Sequence, residues 1–305
     1  MTKIASPAAP PAQASSSLLT GLTMAIAGAV LFSAKAVVAK LMYRYNIDAI
    51  TVIALRMIFS FPVFAAIAVW KMRTEAPLSN ADRWRLFGLG MTGYYIASVL
   101  DFMGLQYISV GLERLILFLS PTFVVLMTAF YFKRAISRVE WIALALSYCG
   151  IVLVFMHDLR IGGNTMLGAL LVLGSALTYG IYLLGSGEMV KRIGTTRLVS
   201  YAMCVSSVAG ILQFFVLRPA SLLIQPAPVY WLSLVIGVFC TIMPVFLTMM
   251  GVRRIGAATA SQAGMVGPVS TLFMGALVLA EPITGVQIAG TVLVLSGIAM
   301  LSKKK

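Results

Sequence analysis

The sequence predicts an all-α membrane protein of ten transmembrane helices, arranged as two inverted five-helix repeats. Three observations carry that expectation. Mean hydropathy is +0.98, and 60% of residues are hydrophobic against 10% charged, a composition no soluble domain of this length shows. Ten apolar stretches approach or exceed the length needed to cross a ~30 Å hydrocarbon core as helices. Gly104, Pro121 and Gly150 recur as Gly251, Pro268 and Gly297, each shifted by 147 positions, and Met103/Met250, Ile108/Ile255, Met127/Met274, Ala129/Ala276, Ile136/Ile283 and Ile151/Ile298 keep that register. A duplicated block with an odd number of spans must sit upside down relative to its twin. Such symmetry is common in alternating-access transporters, whose substrate site lies between the repeats.

The helices are expected near 18–42, 48–70, 86–107, 109–132, 138–157, 164–189, 198–218, 229–252, 257–280 and 284–302. Residues 18–157 then form the first repeat (helices 1–5) and 164–302 the second (helices 6–10). The Ala-, Pro- and Ser-rich stretch 1–17 has Lys3 as its sole basic residue and lacks the charged region and cleavage site of a signal peptide, so it reads as a disordered cytoplasmic tail. Very short connections make helices 3 and 4, 8 and 9, and 9 and 10 antiparallel neighbours. Gly and Pro within the spans are compatible with membrane helices, whose neighbours satisfy freed backbone groups. Cys149, Cys204 and Cys240 fall inside predicted helices without CxxC spacing and read as packing residues.

The net charge of +14 is distributed by side. With the N-terminus cytoplasmic, sixteen of the 23 Lys and Arg residues fall on the inner side, four (Lys40, Arg44, Arg160 and Arg218) on the outer side, and Lys35, Arg56 and Arg114 within helices. This positive-inside bias places both termini in the cytoplasm. It reads as orientation chemistry, and no aromatic-plus-basic stripe suggests nucleic acid. Helix 4 ends in Lys133-Arg134 on the inner side; its counterpart, helix 9, ends in Ala280-Glu281-Pro282 on the outer side.

Charged groups within a bilayer are costly and mark candidate sites. Lys35 lies roughly 10 Å below the outer surface, Arg56 roughly 12 Å, Asp101 roughly 9 Å, and Glu113 and Arg114 roughly 6–8 Å. Five ionisable residues from four consecutive helices thus share one depth band. In the repeat register Asp101, Glu113 and Arg114 meet Thr248, Ala260 and Ser261, so the cluster is a specialisation of the first half. One reading is a salt-bridge network locking helices 1 to 4. Another gives Asp101 or Glu113 a proton to gain and lose during a transport cycle, with Arg56 and Arg114 as charged partners. Three cations against two anions leave a positive surplus able to meet a substrate carboxylate at Lys35. A third places Glu113 and Arg114 at the membrane interface.

Pro121 and Pro268 each remove a helix-interior hydrogen bond. Their matched placement suggests either paired hinges or static bends. His157 is the one histidine, so metal clusters and Ser-His catalysis lack parts. No Walker pattern is present, so motion is expected to be driven by a gradient rather than by ATP bound to this chain, with no cofactor.

Leu105-Gln106-Tyr107-Ile108-Ser109, followed by Pro121, resembles the first half of the EamA-type transporters of the drug/metabolite transporter superfamily. Glu281-Pro282 followed by Gln287, Gly290, Leu293 and Gly297 resembles the ending of that family's repeat, and Arg56 sits where the family often has an arginine. The first half departs from it, having Lys133-Arg134-Ala135 where a Glu-Pro-like ending would stand. The resemblance covers about 20 to 302 and implies a ten-helix fold around a central substrate cavity. In the family helices 3, 6 and 9 border that cavity, which implies Tyr94 and Ser98, Tyr179 and Tyr182 (on one face with Ser175), and Gln262 and Met265 as candidate substrate contacts. Interface anchoring and helix packing are the alternatives for these residues.

The expectation is a secondary transporter of a bacterial inner (plasma) membrane, exporting amino acids or related amphipathic carboxylates by alternating access. A multidrug exporter and a lipid-handling or channel-like protein are the alternatives. The expected partners are a small-molecule substrate, the bilayer and protons as a candidate coupling ion; oligomeric state is left open.

Overall fold

The computed structural model describes residues 11–131, 133, 135–159 and 164–302. Among them the chain forms helices α1 (Pro11–Tyr43), α2 (Ala49–Thr74), α3 (Asn80–Leu105), α4 (Val110–Tyr131), α5 (Arg138–Leu159), α6 (Thr165–Ile193), α7 (Thr195–Leu217), α8 (Ala227–Gly256), α9 (Val266–Leu279) and α10 (Gly285–Ser302). The first eight are long and apolar enough to cross a membrane. The last two are shorter, and the helical stretch 257–263 extends α9 back to a kink at Gly256. The helix α1 begins inside the stretch expected as a tail, and residues 1–10 lie outside the described residues. Lys3, Arg134, Arg160 and Lys303 to Lys305, which enter the charge pattern, also lie outside them.

Local chemistry sets the breaks. Asp48, Ser79 and Ser109 each turn a side-chain oxygen onto a backbone N–H three residues on, capping α2, α3 and α4 at 2.9, 3.2 and 3.1 Å. Gly194 (φ 77°) and Gly256 (φ 79°) supply the left-handed turns after α6 and α8, conformations that cost a side-chain-bearing residue far more.

The helices pair across the repeats: α1 with α8, α3 with α6, α2 with α7, and α5 with α10. Adding 147 to each number exchanges the first two pairs and maps the other two onto themselves, as a two-fold axis requires. The close contacts obey the same arithmetic. A Cβ on Gly104 would lie 2.7 Å from the Gly168 carbonyl, and one on Gly251 would lie 3.2 Å from that of Gly21. Gly150 would meet the Gly290 carbonyl at 2.6 Å, and Gly297 that of Ala143 at 2.5 Å. Lipid gives helices no hydrophobic reason to associate, so van der Waals contact between bare backbones holds such interfaces. Both α3 and α8 also widen into π-helix at overlapping register, Met91–Ile96 and Val235–Ile242.

The exterior is apolar in the middle and charged at the ends. Leu177, Val208 and Val292, each near the middle of its helix, are 40%, 46% and 58% exposed, which suits lipid and not water. At the end predicted as cytoplasmic, Glu75 meets Lys71 (2.6 Å) and Arg197 (3.4 Å), and Asp82 meets Arg192 (2.9 Å). At the other end Asp48 pairs with Arg218.

Three outcomes are expected. Gly150→Val should cost about 1–3 kcal/mol of overpacking strain, seen as a lower melting temperature in detergent. Gly187→Val, where nothing lies within 4 Å, should leave that temperature unchanged. Burial opposes the charge on Asp48, yet hydrogen bonds from Thr51 and the Arg218 guanidinium hold its carboxyl below the usual carboxylate range. A depressed carboxylate stabilises the fold fully above its unfolded pKa of about 3.9 and loses that contribution as pH falls through the lower folded value. Asp48→Asn should therefore flatten the acid limb of the melting-temperature profile.

Candidate functional site

The depth band read from the sequence is a physical cluster. Lys35 Nζ lies 2.5 Å from Asp101 Oδ2 and 4.0 Å from Glu113 Oε1, so α1, α3 and α4 meet at one ammonium. Arg56 Nη2 donates to Ser98 Oγ at 3.0 Å. Arg114 Nη2 donates to Ser33 Oγ at 2.8 Å, and Ser33 Oγ in turn donates to the Ala29 carbonyl at 2.7 Å. All five charged residues are buried, Glu113 completely.

Two phenylalanines, not anticipated from the sequence, join these pieces. The Phe102 ring carries Arg56 at 4.9 Å and Lys35 at 5.4 Å; the Phe32 ring carries Lys35 at 5.2 Å and Arg114 at 4.9 Å. Arg56, Phe102, Lys35, Phe32 and Arg114 thus form one alternating chain of cations and ring faces. Such contacts reach about 2 kcal/mol when desolvated. Phe102 adjoins Asp101 and Phe32 precedes Lys35 by three residues, the one signal that would have marked them.

The satisfaction is uneven. Neither oxygen of Glu113 has a hydrogen-bond partner among the described residues, nor do Asp101 Oδ1, Arg56 Nε and Arg114 Nε. Polar groups buried without partners cost free energy. The guanidinium of Arg114 is roofed by the second repeat: a Cβ on Gly267 would lie 3.1 Å from both Arg114 Nη2 and Ser33 Oγ. That glycine lies one residue before Pro268, and Ser120 is its counterpart before Pro121.

Pro121 and Pro268 each follow a real break. The α4 helix is interrupted at Phe118–Leu119, and the path into α9 at Gly264–Met265, equivalent positions offset by a residue. In α4 the Phe118 ring also packs on Arg114, 5.5 Å from its guanidinium carbon.

The aromatic constellation lies elsewhere. Tyr94 and Tyr182 share a hydroxyl–hydroxyl bond of 3.1 Å, and Tyr179 stacks on Tyr182 with centroids 5.6 Å apart. The Tyr182 ring fills the space beside Gly93 in the π-helical part of α3. Tyr182 is the repeat counterpart of Lys35, so inversion puts the tyrosines in the opposite half of the membrane, among Leu86, Leu89 and Met189. Arg114 and Tyr179 are within electrostatic range of each other, which links the two groups. The structure does not bring the remaining candidates into one lining. Ser98 is engaged by Arg56, Ser175 donates to the Ala97 carbonyl at 2.7 Å, Gln262 is exposed, and Met265 packs against the apolar cluster around Leu115.

Apart from the cluster, an open cavity of about 620 Å³ is lined by Lys40, Tyr43, Arg44, Asp48, Gln106 and Glu281, among others. Here Glu281 crosses between repeats to accept the Val110 N–H at 3.2 Å, at the start of α4. Burial, reinforced by Asp158, holds the Glu281 carboxyl above the usual carboxylate range against the opposing pull of Lys40 and the Val110 N–H.

The profile of the EamA-like transporter family matches residues 19–156 and again 166–303, one match per repeat. The chain belongs to the EamA-like transporter family. Among curated relatives, the uncharacterized transporter YcbK of Bacillus subtilis is 29% identical over 282 residues, covering 88% of each chain. An uncharacterized transporter of Synechocystis, sll1319, is 23% identical with 94% of each chain covered, and one of Archaeoglobus fulgidus is 24% identical over 84% of this chain and 89% of its own. A solved crystal structure superposes with a TM-score of 0.63 over 94% of this chain and 96% of its own, at 17% identity, a likeness of fold alone. This EamA-like protein is therefore an integral membrane transporter, and the buried cluster is its candidate site.

Removing one member of a buried ion pair strands its partner. Lys35→Met, which leaves two carboxylates without their ammonium, should destabilise by about 3–5 kcal/mol. Lys35→Met combined with Asp101→Leu should recover at least half of that loss, a coupling that a double-mutant cycle on detergent melts would measure.

Proposed function

We propose that this protein is a gradient-driven carrier of the bacterial inner membrane, with cytoplasmic termini, exporting amino acids or related amphipathic carboxylates. The observation that supports it is the composition of the buried chain: three cations, two carboxylates, and guanidinium donors left over. Lys35 is already answered by Asp101. Arg114 spends one hydrogen bond on Ser33 and keeps Nε unpartnered, so its planar fork retains capacity for a carboxylate.

Alternating access then has a geometric form. The roof at Gly267 belongs to the second repeat, and the floor of Ser33, Phe32 and Phe118 to the first. Separating them exposes Arg114 to the outer side, and the breaks beside Pro121 and Pro268 are where α4 and α9 would bend. The tyrosines at the inverted position would close or line the inner half. The proton, if one is coupled, belongs on Glu113 rather than Asp101, because Glu113 has two oxygens with no donor while Asp101 is tied to Lys35.

Counterflow in proteoliposomes loaded with amino acids, organic acids and nucleosides, at two pH values, tests the reading. Trans-stimulated exchange of carboxylate-bearing amino acids is expected. No exchange from a well-folded preparation would overturn the carrier assignment in favour of a channel-like or lipid-handling role. Glu113→Gln should retain exchange and lose its pH dependence; retained pH dependence would remove Glu113 from the coupling step.

A further inference from the structure

The cavity at the outer end is not part of the buried cluster, yet one residue stitches them together. Tyr43 lines the cavity and donates its hydroxyl to the Phe102 carbonyl at 2.7 Å. Phe102 is the ring shared by Lys35 and Arg56. Tyr43 is therefore a direct link between the cavity wall and the network.

Most charges around this cavity are already spoken for. Asp48 is neutralised by Arg218 and capped by the Thr51 N–H. Glu281 holds the Val110 N–H through Oε2. Arg44 commits one nitrogen to the Leu279 carbonyl at 3.0 Å and is otherwise exposed. Lys40 is different: it is half-buried, with no hydrogen-bond or ion-pair partner among the described residues. It shares the cavity with Arg44, four residues on in the turn that follows α1. With Asp48 cancelled, two cations face one carboxylate. Glu281, Asp158 and Glu113 are the acidic groups within electrostatic range of Lys40.

We infer that this outer cavity is a second binding site, taking small molecules by their carboxylate, with Lys40 as the principal contact and Arg44 beside it. The inference rests on the carrier reading for its place on the route, as the station between the outer solution and the Lys35–Arg114 cluster. The binding itself does not require transport. Lys40 offers three N–H donors at the rim of a low-dielectric wall, where a charge-assisted bond is stronger than in open water. The neighbouring Glu281 disfavours ligands with more than one negative charge.

The test uses the full chain in proteoliposomes, with Cys149, Cys204 and Cys240 replaced by Ala and Gln106→Cys as reporter. Gln106 lines the cavity and is exposed, so a membrane-impermeant maleimide added to the side opposite the termini reaches it. N-acetylleucine, an anion, should slow labelling; leucinamide, the matching cation, should not. Lys40→Gln should weaken half-protection about tenfold or more, the loss of one charge-assisted hydrogen bond, while Lys40→Arg keeps it. Equal protection by both compounds, or unchanged protection in Lys40→Gln, would overturn the site. Protection that persists in a protein showing no exchange would sustain the site and fail the carrier reading. Exchange without protection would do the reverse.

Discussion

Direct contact between backbones at the glycine crossings is what the rest of the molecule depends on. In lipid a helix gains nothing by hiding apolar side chains from its surroundings, so association must come from van der Waals contact and internal hydrogen bonds. Gly150 against Gly290 and Gly104 against Gly168 let helix axes approach until carbonyls touch the space a Cβ would fill. Because Gly251 and Gly297 repeat those contacts with Gly21 and Ala143, the two halves interlock about one axis. Every other element hangs on these crossings, including the placement of α1 against α3 and α4.

The charged chain exists on that scaffold because no water is available to solvate it. Lys35, Arg56 and Arg114 must be compensated by carboxylates, hydroxyls and ring faces, and the first repeat supplies nearly all of them. The compensation stops short at Glu113 and at the guanidinium Nε atoms. The incomplete pairing lies beneath a glycine, Gly267, contributed by the other repeat.

Inversion also divides the labour between the halves of the membrane. The same register position is Lys35 in α1 and Tyr182 in α6, so the duplicated scaffold presents charge toward one side and a tyrosine cluster toward the other. Paired π-helical segments in α3 and α8 mark the equivalent points where the helices deviate, and Tyr182 occupies the one beside Gly93.

Class, helix number, the repeat and which charges would be buried were all legible in the sequence. Each follows from one-dimensional rules: bilayer thickness sets span length, an odd span count forces inversion, and a charge in an apolar run is conspicuous by itself. The breaks near Pro121 and Pro268 were legible for the same reason, since proline acts on its own helix. The partners were not. Which carboxylate holds Lys35, which rings carry the cations, and that Gly267 covers Arg114 depend on helix rotation and crossing across more than a hundred residues of chain. Phe102 looks like any lipid-facing phenylalanine until docking buries it, and Phe32, which stays 41% exposed, is marked only by the cations on its ring. Ser98 and Gln262 looked equivalent in sequence, yet packing tied one to Arg56 and left the other exposed. Periodicity fixes where a residue lies along its own helix, whereas only close packing of helices decides what it faces.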